Sequence, residues 1–209
     1  MTLMSAFDFI GTLAFALMGA LVGIERKLDL FGIVTLALAT AIGGGILRDL
    51  CLGNVPPASF RTPLYVGISL GGVFLAVFIS WGHAKFHKTI LISDAIGLGS
   101  FAAAGANLAV TFGHGNLITI VFLAVVTAAG GGAIRDVLIA TLPSVLYKEI
   151  YATAALCGAV CFYFVYPFTG TNTAMYLCFI ITTGLRLYAV YRHWNLPDVT
   201  QPPWKKLKK

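Results

Sequence analysis

The sequence predicts an all-α polytopic membrane protein with seven transmembrane helices, arranged as two inverted three-helix repeats plus a seventh helix. Three observations predict this class: an apolar composition, seven long apolar runs, and a short motif that occurs twice. Of the 209 residues, 58% are hydrophobic and 11% are charged, whereas an average soluble domain is about 25% charged. This composition excludes a soluble globular domain, and its hydrophobicity excludes a disordered chain.

The apolar runs are long enough to be membrane-spanning helices. A helix needs roughly 20 residues to cross the hydrocarbon core, so seven helices use about 140 residues and leave no room for a large soluble domain. Helices are required because lipid cannot satisfy free backbone groups, and the runs do not alternate as the strands of a membrane barrel do. The predicted spans are 6–24, 31–50, 63–81, 90–111, 116–140, 147–167 and 172–192.

The spans group into one membrane domain and a short tail. The predicted units are the membrane domain 1–192, which holds repeat one (5–82), repeat two (90–168) and the seventh helix (172–192), and a basic cytoplasmic tail over 193–209. Two interpretations of the tail stay open. Its lysines beside a tryptophan bind the anionic headgroups of membrane lipids, or the tail only enforces the topology.

The basic residues predict the orientation of the chain. Seven spans place the two termini on opposite sides of the membrane. One side then carries Arg61 alone, and the other carries Arg26, Lys27, Lys85, Lys88, Lys148, Arg192, Lys205, Lys206, Lys208 and Lys209. Because basic loops remain in the cytoplasm, we expect a multi-pass protein of the plasma membrane with its N-terminus outside and its C-terminus inside.

A motif with three glycines, an arginine and an aspartate occurs twice. Residues 42–49 read IGGGILRD and residues 129–136 read AGGGAIRD, 87 positions apart. Asp8 and Asp94 repeat at an offset of 86, as do Phe15 and Phe101. Each copy contains three spans, so the second copy enters the membrane from the opposite side. Such inverted repeats are typical of pathways that open to both faces, although a structural duplication without transport stays possible.

The glycine triplets have two interpretations. Each glycine costs about 1 kcal/mol of helix propensity relative to alanine, so three in a row need a compensating role. A helix break or hinge would free backbone carbonyls to line a polar path, and we favour this interpretation. Close packing against a neighbouring helix is the alternative. The residues concerned are Gly43, Gly44, Gly45, Gly130, Gly131 and Gly132.

The charged residues inside the spans predict two ion pairs. Antiparallel neighbouring helices bring Asp8 to the depth of Arg48, and Asp94 to the depth of Arg135. We therefore expect the pairs Asp8–Arg48 and Asp94–Arg135, which would act as gates at the two ends of a pathway. The alternatives are pairing of the same arginines with Asp49 and Asp136, snorkelling of the arginines to the headgroups, and a helix-dipole role for the aspartates.

The sequence contains no arrangement typical of an enzyme. The loops are short, no nucleophile lies in a recognisable arrangement with a base, and no phosphate-binding loop is present. We expect no catalytic residues, no metal site, no cofactor and no nucleic-acid partner.

Each copy of the doubled motif lies in the second helix of a three-helix repeat and is followed by a proline, and a seventh helix follows the two repeats. This pattern resembles the prokaryotic branch of the TRIC family, the trimeric intracellular cation channels. The resemblance covers about residues 5–192. It implies a homotrimer in which each subunit has its own pore, lined by the glycine-kinked second and fifth spans. It also implies conduction of monovalent cations, mainly potassium and also sodium.

A second class of function stays open beside the channel. The inverted repeat alone is equally typical of a secondary transporter of a small solute, such as glycine. Cation selectivity usually rests on carbonyls or acidic side chains, and the sequence shows no dense acidic ring, so the cation preference follows from the resemblance.

Overall fold

The computed structural model describes residues 2–82, 86–147, 150–192 and 194. Its regular structure there is entirely helical, and seven helices are long and apolar enough to cross a membrane. The predicted tail, apart from Trp194, and the basic residues Lys85 and Lys148 lie outside the described residues. In order, the helices are α1 Leu3–Glu25, α2 Leu30–Cys51, α3 Ala58–Arg61, α4 Leu64–Gly82, α5 His87–Thr111, α6 Leu117–Leu138, α7 Ser144–Tyr147, α8 Ala152–Thr169 and α9 Thr171–Arg192.

The predicted fold class is confirmed, and the seven spans correspond to α1, α2, α4, α5, α6, α8 and α9. The short helices α3 and α7 were not predicted, and the sixth span begins at Ala152 instead of residue 147. The reason lies in the doubled motif. Asp49 accepts a hydrogen bond from the backbone N–H of Ala58 (2.8 Å), and Asp136 accepts one from Ser144 (2.7 Å), so each aspartate caps a short helix.

Local signals in the sequence explain where the long helices begin. Thr2 caps α1 by accepting from the N–H of Ser5. Asp29 caps α2 by accepting from Gly32, and Asn116, which is 87 residues further on, caps α6 by accepting from Thr119. These oxygens satisfy backbone donors that a helix start leaves free.

The helices form two bundles that meet along their inner members. Helix α1 packs against α2 and α4, and α5 packs against α6 and α8. The bundles join through contacts of α1 with α5 and of α2 with α6. Helix α9 packs against α5 and α8, so it lies beside the second bundle, and among the described helices it has no counterpart beside the first.

The glycine triplets lie where α2 contacts α6, and the hinge predicted there stays a prediction. Both helices continue without interruption through their triplets. A Cβ added at Gly44 would fall on the carbonyl oxygen of Thr127, and one added at Gly131 would fall on that of Thr40. The missing side chains are therefore replaced by the backbone of the facing helix, which is the packing interpretation.

The three glycines of each triplet differ in their surroundings. A Cβ at Gly43 would meet Ile134, and one at Gly130 would meet Leu47, so these positions are also tightly packed. The third glycine is more open: a Cβ at Gly45 would approach only the Arg48 guanidinium, at 3.7 Å, among the described residues. Its counterpart Gly132 faces a tyrosine hydroxyl and Arg135.

Replacing Gly44 by alanine should destabilise the helix crossing. The added methyl group would overlap the backbone of α6, and overpacking of this kind lowers the free energy of unfolding by about 1–3 kcal/mol. Thermal unfolding of the purified protein in detergent measures the effect. Gly67→Ala in α4 is the matched control, because no described atom lies within 4 Å of a Cβ at that position. Equal stability of the two variants would contradict the packing role.

Candidate functional site

The first charged cluster joins three helices of the first bundle. Arg48 of α2 contacts Asp8 of α1 through Nη1 (2.9 Å) and its neighbour Asp49 through Nε (2.9 Å). Tyr65 of α4 donates a hydrogen bond to the other oxygen of Asp8 (2.6 Å). Arg48 is 2% exposed and Asp8 is 3% exposed. One buried arginine therefore bridges two carboxylates, which leaves the first cluster with an excess of negative charge.

The second charged cluster lies at the equivalent place in the second bundle. Arg135 of α6 binds its neighbour Asp136, with Nη2 and Nε at 2.6 and 2.8 Å from the same carboxylate oxygen. Asp94 of α5 accepts a hydrogen bond from Tyr151 (3.0 Å) and forms an ion pair with Arg186 of α9 (3.2 Å). The Arg186 guanidinium also lies over the Tyr151 ring, 4.8 Å from its centre.

The structure brings together one of the two predicted ion pairs. Asp8 and Arg48 are in contact as expected, whereas Asp94 and Arg135 form no direct ion pair in the described part of the chain, although Asp94 lies near enough to act on the charge of Arg135. Asp94 binds Arg186 instead, and Nη1 of Arg135 lies against the thioether of Met18. The reason is that α9 lies outside the repeat, so the symmetry of the sequence could not reveal the competing arginine.

The pairings considered as alternatives account for the contacts of the two motif arginines with their neighbouring aspartates. Both Asp49 and Asp136 bind the arginine that precedes them in the motif. The arginines are not snorkelling, since Arg48 is 2% exposed and Arg135 is 7% exposed. Gating by any of these groups stays a prediction.

No role in the clusters was predicted for the two tyrosines or for Arg186. Tyr65 and Tyr151 are 86 residues apart, the same offset that relates Asp8 to Asp94. A search for further residues at this offset could have found the tyrosines. No repeat signal points to Arg186.

Two cavities lie next to the clusters, at opposite ends of α1. The first cavity, of about 10 Å³, is lined by Asp8, Thr12 and Gly45 among others. The second cavity, of about 180 Å³, is lined by Met18, Val22 and groups of the second cluster. Because an α-helix rises 1.5 Å per residue, Asp8 and Met18 are separated by about 15 Å along α1.

A pair of aromatic rings lies between the levels of the two cavities: Phe15 falls between Thr12 and Met18 on α1, which line the first and the second cavity, and its partner Phe101 lines the first. Phe15 of α1 and Phe101 of α5 meet edge to face, with ring centres 5.2 Å apart, and are 0% and 1% exposed. Each ring lies against a glycine of the other helix, Phe101 against Gly11 and Phe15 against Gly97. These phenylalanines are repeated residues in the sequence, and no role was predicted for them.

These features define a class of membrane protein: two inverted three-helix repeats enclosing a pair of end cavities, each beside a buried charged cluster. Both halves of the chain, residues 5–81 and 91–167, match the family model described as "Glycine transporter".

Curated relatives and solved structures agree with one another. A UPF0126 membrane protein of Deinococcus radiodurans is 42% identical over 73% of this chain and 71% of its own length. The UPF0126 inner membrane protein YadS of Escherichia coli K12 is 34% identical over 91% of this chain and 93% of its own. A solved TRIC cation channel has a TM-score of 0.86 at 34% identity and covers 96% of this chain and 99% of its own. The TRIC orthologue of Rhodobacter sphaeroides has a TM-score of 0.86 at 32% identity, covering 92% of this chain and 100% of its own.

The chain therefore belongs to the TRIC family, which confirms the resemblance based on the doubled motif. It is a multi-pass membrane protein. The matched structures are channels, so the chain is not an enzyme, as expected.

Replacing Arg48 by glutamine should strongly destabilise the first bundle. The change leaves two buried carboxylates without their counter-charge, and breaking a buried ion pair in this way costs about 3–5 kcal/mol. Arg61→Gln is the matched control, because Arg61 is exposed and bonds only to the Asn54 side chain among its described hydrogen bonds. Surface changes of that kind alter stability by about 0.5 kcal/mol or less. Similar unfolding temperatures for the two variants would contradict the role assigned to Arg48.

Proposed function

We propose that the chain forms a potassium-permeable monovalent cation channel, with a pathway through each subunit of a homotrimer. One observation carries the proposal: two cavities lie at opposite ends of α1 within one chain, and Phe15, which contacts Phe101, lies between them along that helix. The TRIC channels to which the chain is 32–38% identical support the same function. The pathway runs between α1, α2, α5 and α6.

The charge of the first cluster supports a preference for cations. Its two carboxylates face a single arginine. An excess of negative charge beside a low-dielectric pathway attracts cations and repels anions. Composition alone did not point to this preference, because the relevant carboxylates are few and are brought together only by folding.

The glycine triplets support a pathway lined by α2 and α6. Gly45 lines the first cavity, beside Arg48 and Asp49. Four of the six glycines pack at the helix crossing, and this crossing is the point about which the helices would bend. The charged groups at the two ends remain the candidate gates: Asp8, Arg48 and Asp49 at one end, and Asp94, Arg135 and Asp136 at the other.

The distribution of basic residues supports the orientation. The first cavity would face the outside of the cell, and the second would open to the cytoplasm, where the basic loops lie. We place the channel in the plasma membrane, in contact with membrane lipids.

Purified protein in planar lipid bilayers tests the proposal. We expect discrete single-channel currents whose reversal potential in a potassium chloride gradient follows potassium instead of chloride. A mock purification from cells without the protein is the control. Saturable, ion-coupled uptake of a solute such as glycine, without such currents, would show that the protein is a transporter.

Native mass spectrometry should find three copies in each particle.

Replacing Phe15 or Phe101 by alanine should increase the current through the closed channel. Each change removes one ring of the barrier between the cavities and allows water to connect them, since apolar constrictions close pores by excluding water. The open probability in bilayers is the measurement.

Phe162→Ala is the matched control for the aromatic barrier. Phe162 is 0% exposed like Phe15, and it stacks on Tyr166 within α8 and lines neither cavity. All three variants lose a buried ring and should lose similar stability. A rise in open probability in the control as well would assign the effect to loosened packing and not to the barrier.

A further inference from the structure

The two charged clusters are built from the same repeat and yet are bonded differently. In the first, one oxygen of Asp8 accepts from Tyr65 and the other binds Arg48. In the second, one oxygen of Asp94 accepts from Tyr151 and the other binds an arginine of α9. Arg186 therefore occupies on Asp94 the place that the motif arginine occupies on Asp8.

The consequence for the motif arginine of the second repeat is visible in its contacts. Arg48 bridges two carboxylates on two helices, whereas Arg135 binds Asp136 on its own helix. The guanidinium nitrogen that would reach Asp94 contacts the Met18 thioether instead.

The volumes of the two cavities differ in parallel with the contacts of the two motif arginines. The cavity whose arginine bridges two helices measures about 10 Å³. The cavity whose arginine does not bridge measures about 180 Å³. Within one chain, the bridged end holds the smaller cavity and the unbridged end holds the larger one.

Helix α9 is held in the register that this arrangement needs. Thr183 lies one turn before Arg186 and donates a hydrogen bond to the carbonyl of Ala95, the residue after Asp94 (3.2 Å). Gly99 of α5 leaves the space that the Thr183 hydroxyl fills. These contacts, with the Tyr151 ring beneath the guanidinium, direct Arg186 towards Asp94.

We propose that Arg186 is the residue that keeps the second end of the pathway open, because it occupies Asp94 and prevents Arg135 from bridging α5 and α6. Without Arg186, Arg135 forms ion pairs with both Asp94 and Asp136. This is the arrangement that Arg48 has with Asp8 and Asp49, and the second cavity then contracts towards the size of the first. Arg186 is a positioning residue that acts through Asp94 and Arg135. The inference rests on the proposed function only in treating the cavity as part of a conduction pathway.

Cysteine accessibility tests the inference without any measurement of current. Ala58 lines the first cavity and Ser144 lines the second. They are 86 residues apart and use only backbone N–H groups to bind Asp49 and Asp136. Ala58→Cys and Ser144→Cys are therefore matched reporters. They are introduced into a chain whose four native cysteines have been replaced, namely Cys51, Cys157, Cys161 and Cys178.

The purified variants are treated in detergent with a small neutral thiol reagent, methyl methanethiosulfonate, and the rate of modification is followed by mass spectrometry. The Ser144→Cys reporter should react faster than the Ala58→Cys reporter. Adding Arg186→Gln should slow the Ser144→Cys reporter by about tenfold, the effect of a largely complete shift to the closed form, and should leave the Ala58→Cys reporter unchanged. Arg192→Gln, an exposed arginine of the same helix, is the control and should change neither rate.

A second substitution separates the proposed role from a general loss of structure. In Asp94→Asn combined with Arg186→Gln, Arg135 has no carboxylate on α5 to bind, so the fast rate should return. Unchanged rates in Arg186→Gln, or a slow rate that persists in the double variant, would overturn the inference. Arg186→Met, which fills the same buried space, should give the same slowing if Arg186→Gln does not yield folded protein.

The accessibility and current measurements fail independently. Accessibility that depends on Arg186 in a protein without single-channel currents would support the inference and overturn the channel. Single-channel currents in a protein whose cysteine accessibility does not depend on Arg186 would support the channel and overturn the inference.

Discussion

The structure depends on the requirement that a charge buried in a membrane-spanning helix must find its counter-charge inside the protein. Arg48 and Arg135 lie near the ends of α2 and α6, and neither is exposed enough to reach headgroups. The adjacent aspartate of the motif supplies one partner from the same helix. It leaves other guanidinium nitrogens to be satisfied by a second helix, because an unpaired buried charge costs several kcal/mol. This requirement draws α1 onto α2 in the first bundle.

The spacing within the motif follows from the same constraint combined with the packing of α2 on α6. The middle glycine contacts the facing backbone, and the arginine follows four residues later, about one turn along the helix. Close approach at Gly44 and Gly131 therefore fixes the depth of both arginines relative to one crossing point. The aspartate that follows caps the next short helix, so one motif sets the helix crossing, the buried charge and the turn back into the membrane.

Much of this arrangement could be predicted from the sequence, for physical reasons. Lipid forces each span to be a helix of about 20 apolar residues, so the seven spans could be identified in the sequence. The doubled motif predicted the inverted repeat. The contact of Asp8 with Arg48 followed from equal depth on neighbouring helices. Helices α3 and α7 could not be predicted, because four residues carry no periodic signal. The choice between the two roles of the glycines could not be made, because sequence alone cannot distinguish a glycine that bends a helix from one that a facing backbone covers.

The direct ion pair of Asp94 with Arg186, in place of Arg135, is the most informative difference. An inverted duplication by itself produces two equivalent ends. Two bridged ends would both be closed, and two unbridged ends would leave the aromatic pair as the remaining barrier. Helix α9 is outside the duplication and contributes a charge to one cluster, so it makes the ends different without any change in the repeated motif. A single arginine on an added helix is therefore sufficient, in electrostatic terms, to make the two charged clusters of a duplicated structure unequal.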